Sequence, residues 1–272
     1  MVHADSLVII NYGDTMSNIA DIAIKLFGNN NTCMCGGAHY ICLNCEVCRA
    51  IDKDQVYNPE HGVASIIDAT ILKATATDAD VTTLCNMANE HQTASVCINS
   101  HFIPLIKSIL TGAVKSCTVI NFPLGASSKE VIQAETQAVL DAGVDEVDMV
   151  QNIGALLAGD YDTSFESING AAKLCIAKEA LLKVIIETCY LNEEQLIISC
   201  LIAKKAGANF VKTSTGFGTA GATPENIALM RKVVGPKLGV KASGGIRTRA
   251  QALAMITSGA SRIGASSVAP LL

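Results

Sequence analysis

From about Ile66 onward, short apolar runs rich in β-branched residues alternate with amphipathic stretches. The interval is roughly 22 to 35 residues, the length of one strand plus one crossover helix. Runs that are apolar throughout, with no polar alternation, belong to strands buried on both faces. Eight such runs begin near Ile66, Ala94, Ser116, Glu146, Leu181, Phe210, Gly239 and Arg262. Eight strand-helix units closing on themselves give a (β/α)8 TIM barrel, an α/β fold whose catalytic groups sit at the C-terminal ends of the strands. An open doubly wound sheet would need a phosphate-binding glycine turn after its first strand, and Ile66-Ile67-Asp68-Ala69-Thr70 contains none.

Local punctuation agrees with this rhythm. Gly112, Gly143, Gly207 and Gly259 each stand between small residues just before a strand, where a helix must end in a left-handed residue. Thr77-Asp78, Ser127-Ser128, Asn192-Glu193-Glu194 and Thr223-Pro224-Glu225 carry the capping oxygens, acids and proline of helix starts. The barrel is expected over residues 61–272. Residues 1–60 lie outside the pattern as an N-terminal helical, cysteine-rich extension, with an amphipathic stretch from Ser17 to Phe27.

Composition narrows the function. A net charge of -5 with dispersed Lys and Arg excludes a nucleic-acid surface, which needs clustered cations. No run of about eighteen apolar residues indicates a membrane span, and no basic-then-apolar leader indicates secretion, so a cytoplasmic location is expected. Of the eleven cysteines, Cys85, Cys97, Cys117, Cys175, Cys189 and Cys200 lie in apolar segments and read as small hydrophobes of a reduced protein. Cys97 and Cys189, near strand ends, are alternatively reactive thiols.

Two lysines carry the strongest chemical signal. Lys212 is third in Phe210-Val211-Lys212 and Lys241 third in Gly239-Val240-Lys241, one strand-helix unit apart. Matching positions on adjacent strands are about 5 Å apart. Two ammonium groups that close, out of water, disfavour each other's charge, so one amine is expected to be neutral near pH 7. A neutral amine adds to an aldehyde to form a Schiff base, and the iminium then accepts electrons from the adjacent carbon-carbon bond without a metal. The alternative is that both lysines bind phosphate or reach to the rim.

At these residues the chain resembles the deoxyribose-phosphate aldolases, a class I aldolase family with a barrel fold. The likeness runs from Ile66 to Ser267 and is carried by Ile67-Asp68 with Thr70 and Leu72-Lys73, Val96 to Asn99, Phe122 to Gly125, Glu146 to Val150, Leu182 to Thr188, Val211 to Phe217, Val240 to Thr248 and Arg262 to Ser267. It implies reversible cleavage of 2-deoxy-D-ribose 5-phosphate to D-glyceraldehyde 3-phosphate and acetaldehyde, in deoxyribonucleotide breakdown. No cofactor is implied beyond the enzyme's own lysine, and the partners are small phosphosugars and aldehydes. Lys212 corresponds to the Schiff-base nucleophile, Lys241 to the neighbouring cation that lowers its proton affinity, Asp148 to the proton-relaying carboxylate, and Asp68 to an acid near the sugar hydroxyls. Asp68 can instead be a strand-end cap, and Glu187 either a structural hydrogen-bond acceptor or a substrate contact. The chain departs from the family pattern at Ala69 and Ala74, where His and Pro are usual.

Phosphate binding is expected at strand ends six to eight, from Thr215, Gly216, Gly244, Gly245, Gly264, Ser266 and Ser267. There glycine admits backbone N–H groups to an anion and a following helix adds its dipole. A silent phosphosugar-binding barrel and a sister class I aldolase are the competing functions. A homo-oligomer is expected from the habit of such barrels to pair through helices. Cys33, Cys35, Cys42, Cys45 and Cys48, with His39 among them, offer either four soft ligands for a structural metal or a cap of small hydrophobes, and no metal is assigned to the catalytic site. The segment before them is alternatively a docking peptide.

Overall fold

The computed structural model describes residues 62–272 together with Ile22 and Leu26. Strands β1 (Ile67–Ile71), β2 (Ser95–Ile98), β3 (Lys115–Ile120), β4 (Glu146–Val150), β5 (Leu181–Ile185), β6 (Phe210–Lys212), β7 (Gly239–Ser243) and β8 (Arg262–Ala265) form one closed parallel barrel in sequence order. Each strand starts within a residue of its sequence-based expectation. Between them run α1 (Asp78–His91), α2 (Ile103–Ile109), α3 (Lys129–Asp141), the short α4 (Ile153–Leu157) with α5 (Tyr161–Ala177), α6 (Glu193–Lys205), α7 (Pro224–Val234) and α8 (Arg249–Thr257).

The expected punctuation is used. Thr77 and Asn192 form reciprocal capping boxes with Asp80 and Gln195, and Ser128 and Thr223 cap α3 and α7. Gly112, Gly143, Gly207 and Gly259 all take positive φ, from 67° to 113°, as the helix-to-strand turns require. After β8 the described chain forms only a three-residue 3-10 turn, Ala269–Leu271.

One apolar core fills the space between strands and helices, from Ile67, Val96, Val147, Leu182, Val211 and Val240 on the strands to Val81, Ile106, Ile132, Ile168, Ile197 and Ile227 on the helices. Ile22 joins this core at 6% exposure and Leu26 packs against it, both helical and one turn apart. The cysteines from Cys33 to Cys48 lie outside the described residues. Among the described residues no helix is long and apolar enough to cross a membrane.

Candidate active site

Because the outward faces of the strands carry the apolar core, charged strand residues are left to point into the barrel interior, where period-two alternation places them. Asp68 on β1, Glu146 and Asp148 on β4, Lys183 on β5, Lys212 on β6 and Lys241 on β7 are all buried there. Lys212 and Lys241 are direct register partners across β6 and β7. Asp148 and Lys183 are register partners across β4 and β5.

Asp148 is the hub. Its Oδ2 lies 2.7 Å from Lys212 Nζ and 2.7 Å from Lys241 Nζ, and its Oδ1 lies 2.8 Å from Lys183 Nζ. Lys241 also meets Asp68 Oδ2 at 2.5 Å, and Lys183 meets Glu146 Oε2 at 2.5 Å and Asp68 Oδ2 at 3.6 Å. Arg262 closes the network beneath, with Asp68 Oδ1 at 2.8 Å and Glu146 Oε1 at 3.3 Å, its guanidinium 5.5 Å from the Phe210 ring centre. Ser95 Oγ donates to Asp68 at 2.7 Å.

Burial alone would neutralise these groups, and their partners prevent it. Desolvation raises the pKa of Asp148, yet Lys183, Lys212 and Lys241 outweigh it and hold the carboxyl well below the usual range. Asp68 is held down in the same way by Lys241, Arg262 and Lys183. Desolvation lowers the pKa of Lys241, but Asp148 and Asp68 hold its ammonium above the ordinary lysine value, and Lys183 is held up mainly by Asp148. The mutual repulsion expected of the lysine pair is thus only part of the electrostatics. Four basic side chains (Lys183, Lys212, Lys241, Arg262) face three acidic ones (Asp68, Glu146, Asp148) in a dry interior.

The lysines differ in how they are held. Lys183 touches three carboxylates and Lys241 two, and the side chains of both are fully buried. Lys212 touches one carboxylate, which it shares, and keeps 3% of its side chain exposed at the mouth. Cys97, Cys117 and Asp148 bring their ligand atoms within 4.8 Å of one another. Three ammonium groups on the same carboxylate repel a cation, so this cluster is built for protons rather than metal.

The profile of the DeoC/LacD family of aldolases matches residues 47–271. The chain is 54% identical over 208 residues to a deoxyribose-phosphate aldolase of Thermococcus gammatolerans, spanning 75% of this chain and 92% of that one. It is 51% identical over 209 residues to the deoxyribose-phosphate aldolase of a Geobacillus species, spanning 76% and 93%. The chain belongs to the DeoC/LacD aldolase family. Among solved structures, a tetrameric deoxyribose phosphate aldolase from Aeropyrum pernix superposes with a TM-score of 0.71 at 33% identity, over 78% of this chain and 89% of that one.

Within this family frame, the structure brings together Lys212, Lys241, Asp148 and Asp68 as one ion-paired cluster. It adds Lys183, Arg262 and Glu146, which sequence reasoning left unassigned. The signal was available: a charge between Leu182 and Val184 in a strand buried on both faces must face inward and find a partner, as must Asp148 between Val147 and Met149. Thr215, Gly216, Gly244, Gly245, Ser266 and Ser267 all lie just beyond strand ends β6 to β8. Gly264 sits inside β8 instead, where a Cβ would come within 3.0 Å of Ser243 Cβ and 3.2 Å of Lys241 Cε, so its absence makes room for the lysine stem. Cys97 packs with Leu72, Cys117, Val119 and Phe122, the small-hydrophobe reading; Cys189 is half-buried, 3.8 Å from Glu187 Oε1.

Proposed function

We propose that this chain is a class I aldolase that cleaves 2-deoxy-D-ribose 5-phosphate reversibly to D-glyceraldehyde 3-phosphate and acetaldehyde, serving deoxyribonucleotide breakdown. The observation that carries the reading is the Lys212–Asp148–Lys241 contact, two ammonium groups 2.7 Å from one carboxylate oxygen at the mouth end of a dry barrel. The names of relatives above 50% identity supply the substrate.

The chemistry follows from how the amines are held. Lys212, with a single shared carboxylate partner and 3% of its side chain exposed, is the amine placed to meet an aldehyde. Its nitrogen adds to C1 of the open-chain sugar, and Asp148, kept ionised and bonded to Lys241, accepts and returns the protons as the hydroxyl leaves as water. The resulting iminium takes the electron pair of the C2–C3 bond as the C3 hydroxyl loses its proton, releasing D-glyceraldehyde 3-phosphate and leaving an enamine. Protonation at C2 and hydrolysis return acetaldehyde and the free amine. Asp68 keeps Lys241 charged and in place. The phosphate end falls to the turns at Thr215–Gly216, Gly244–Gly245 and Ser266–Ser267, where Gly216, Gly245, Ser266 and Ser267 are exposed and glycine lets the backbone come close to an anion.

We further infer a cytoplasmic homo-oligomer, with residues 61–272 as the catalytic unit and residues 1–60 as an N-terminal extension, of which Ile22 packs in the barrel core. Turnover of 2-deoxy-D-ribose 5-phosphate in the presence of a chelator tests the activity. Release of both aldehydes supports it, whereas saturable binding of the phosphosugar without release identifies a silent barrel. Cleavage of another phosphosugar in preference identifies a sister aldolase.

A further inference from the structure

Glu187 has no part in the imine chemistry, yet its placement is tightly specified. It follows β5 and takes the left-handed conformation, φ 53° and ψ 65°, which residues with a Cβ rarely adopt. Its carboxylate is buried at 1% exposure, and both oxygens accept the Thr215 N–H at 3.2 Å. The other end of that same peptide unit, the Ser214 carbonyl, accepts from Ser243 Oγ at 2.6 Å. One peptide plane, immediately before Gly216, is therefore gripped from the β5 side and from the β7 side.

The surroundings reinforce the grip without depending on it. Thr188 N–H donates to Thr213 O at 2.9 Å, and Thr213 Oγ1 donates to Ser243 O at 3.0 Å while accepting its N–H at 3.1 Å. Gly218 folds back onto Glu187, so closely that a Cβ there would stand 2.7 Å from Cys189 Sγ and 3.2 Å from Glu187 Oε1. Lys212 is anchored separately, its carbonyl accepting Ile186 N–H at 2.9 Å inside the barrel ladder.

We propose that Glu187 is a positioning residue that fixes the Ser214–Thr215 peptide, and through it the Thr215–Gly216 turn, so that it governs affinity for the phosphate end of the sugar rather than the carbon-carbon bond step. This rests on the phosphosugar reading above. With its N–H committed to Glu187, Thr215 offers the anion its hydroxyl, which accepts from Phe217 N–H at 3.0 Å and so keeps its own proton free to donate. Without the carboxylate the peptide plane can turn, and the turn must be ordered at the expense of binding.

The test is steady-state kinetics of the full chain on 2-deoxy-D-ribose 5-phosphate and on unphosphorylated 2-deoxy-D-ribose, for wild type, Glu187→Gly and Glu187→Gln. Glycine adopts the left-handed backbone freely, so Glu187→Gly deletes the carboxylate without backbone conflict. Losing a charge-assisted hydrogen bond predicts a KM for the phosphorylated sugar about 10-fold higher, with kcat within about 3-fold. The unphosphorylated sugar should change by no more than about 3-fold in kcat/KM, and Glu187→Gln, which keeps an acceptor, should recover most of the KM. An equal loss on both sugars, a fall in kcat at constant KM, or no change overturns the proposal. Should Glu187→Gly fail to fold, Ser243→Ala frees the other end of the same peptide; a selective rise in KM supports the assignment and an unchanged KM overturns it. Borohydride trapping with acetaldehyde on wild type separates the two levels: no imine at all defeats the aldolase reading, whereas an imine without the KM split defeats only the role of Glu187.

Discussion

At the level of single residues, the site is a contest between desolvation and pairing that pairing wins. Asp148 stays ionised because three ammonium groups surround it, and Lys241 stays charged because two carboxylates do. Lys241→Leu removes one of four cations and leaves three against three carboxylates, so every remaining amine near Asp148 holds its proton more tightly. The acid-side inflection of the kcat/KM profile against pH should rise by about one unit or more. An inflection that stays in place would remove Lys241 from the electrostatic account. Much of this was legible in the sequence: matched positions in Phe210-Val211-Lys212 and Gly239-Val240-Lys241 foretold the register pair, and Asp148 between Val147 and Met149 demanded a cation. Lys183, also third in its strand, was left unassigned; the stagger between β5 and β6 pairs it with Phe210 rather than Lys212, which strand position alone does not reveal. The Glu187–Thr215 contact was out of reach, since a left-handed glutamate leaves no composition signal.

Among elements, the charged layer ties strands that are distant around the barrel. Arg262 on β8 bonds Asp68 on its neighbour β1 and crosses the interior to Glu146 on β4. Arg262→Met leaves both carboxylates short of a partner in a dry interior and should cost about 3–5 kcal/mol in urea unfolding. A loss below about 1 kcal/mol would show that the layer is solvated rather than structural. Strand positions were readable from apolar periodicity because all eight strands are buried on both faces. The charged layer was not, because periodicity says which face a residue takes and not which strand across the barrel supplies its partner.

For the whole molecule, the pairs set a pH window of stability. Asp68 and Asp148 have depressed folded pKa values, so their contribution is complete above the unfolded carboxylate range and is lost as acid protonates the unfolded chain. Lys183 and Lys241 have raised folded values, so their contribution holds below the unfolded lysine range and is lost in base. Urea midpoints should be flat from about pH 5 to 10 and fall on both sides; a midpoint that climbs steadily through that interval would contradict the network. The amphipathic spacing that includes Ile22 and Leu26 was legible, though the place where these two side chains pack was not. Ile22→Ala should lower stability by about 2 kcal/mol, the low end for a buried Ile, and leave kcat unchanged. A matching loss of activity would tie the extension to the active site. The central claim, that one lysine among three buried in the interior becomes covalent, is tested most directly by reducing the intact chain with borohydride in the presence of acetaldehyde and sequencing the modified peptide by mass spectrometry. An ethyl group of about 28 Da on Lys212 alone is the predicted result; an unmodified Lys212, or a label on Lys241 or Lys183 in its place, would contradict the account.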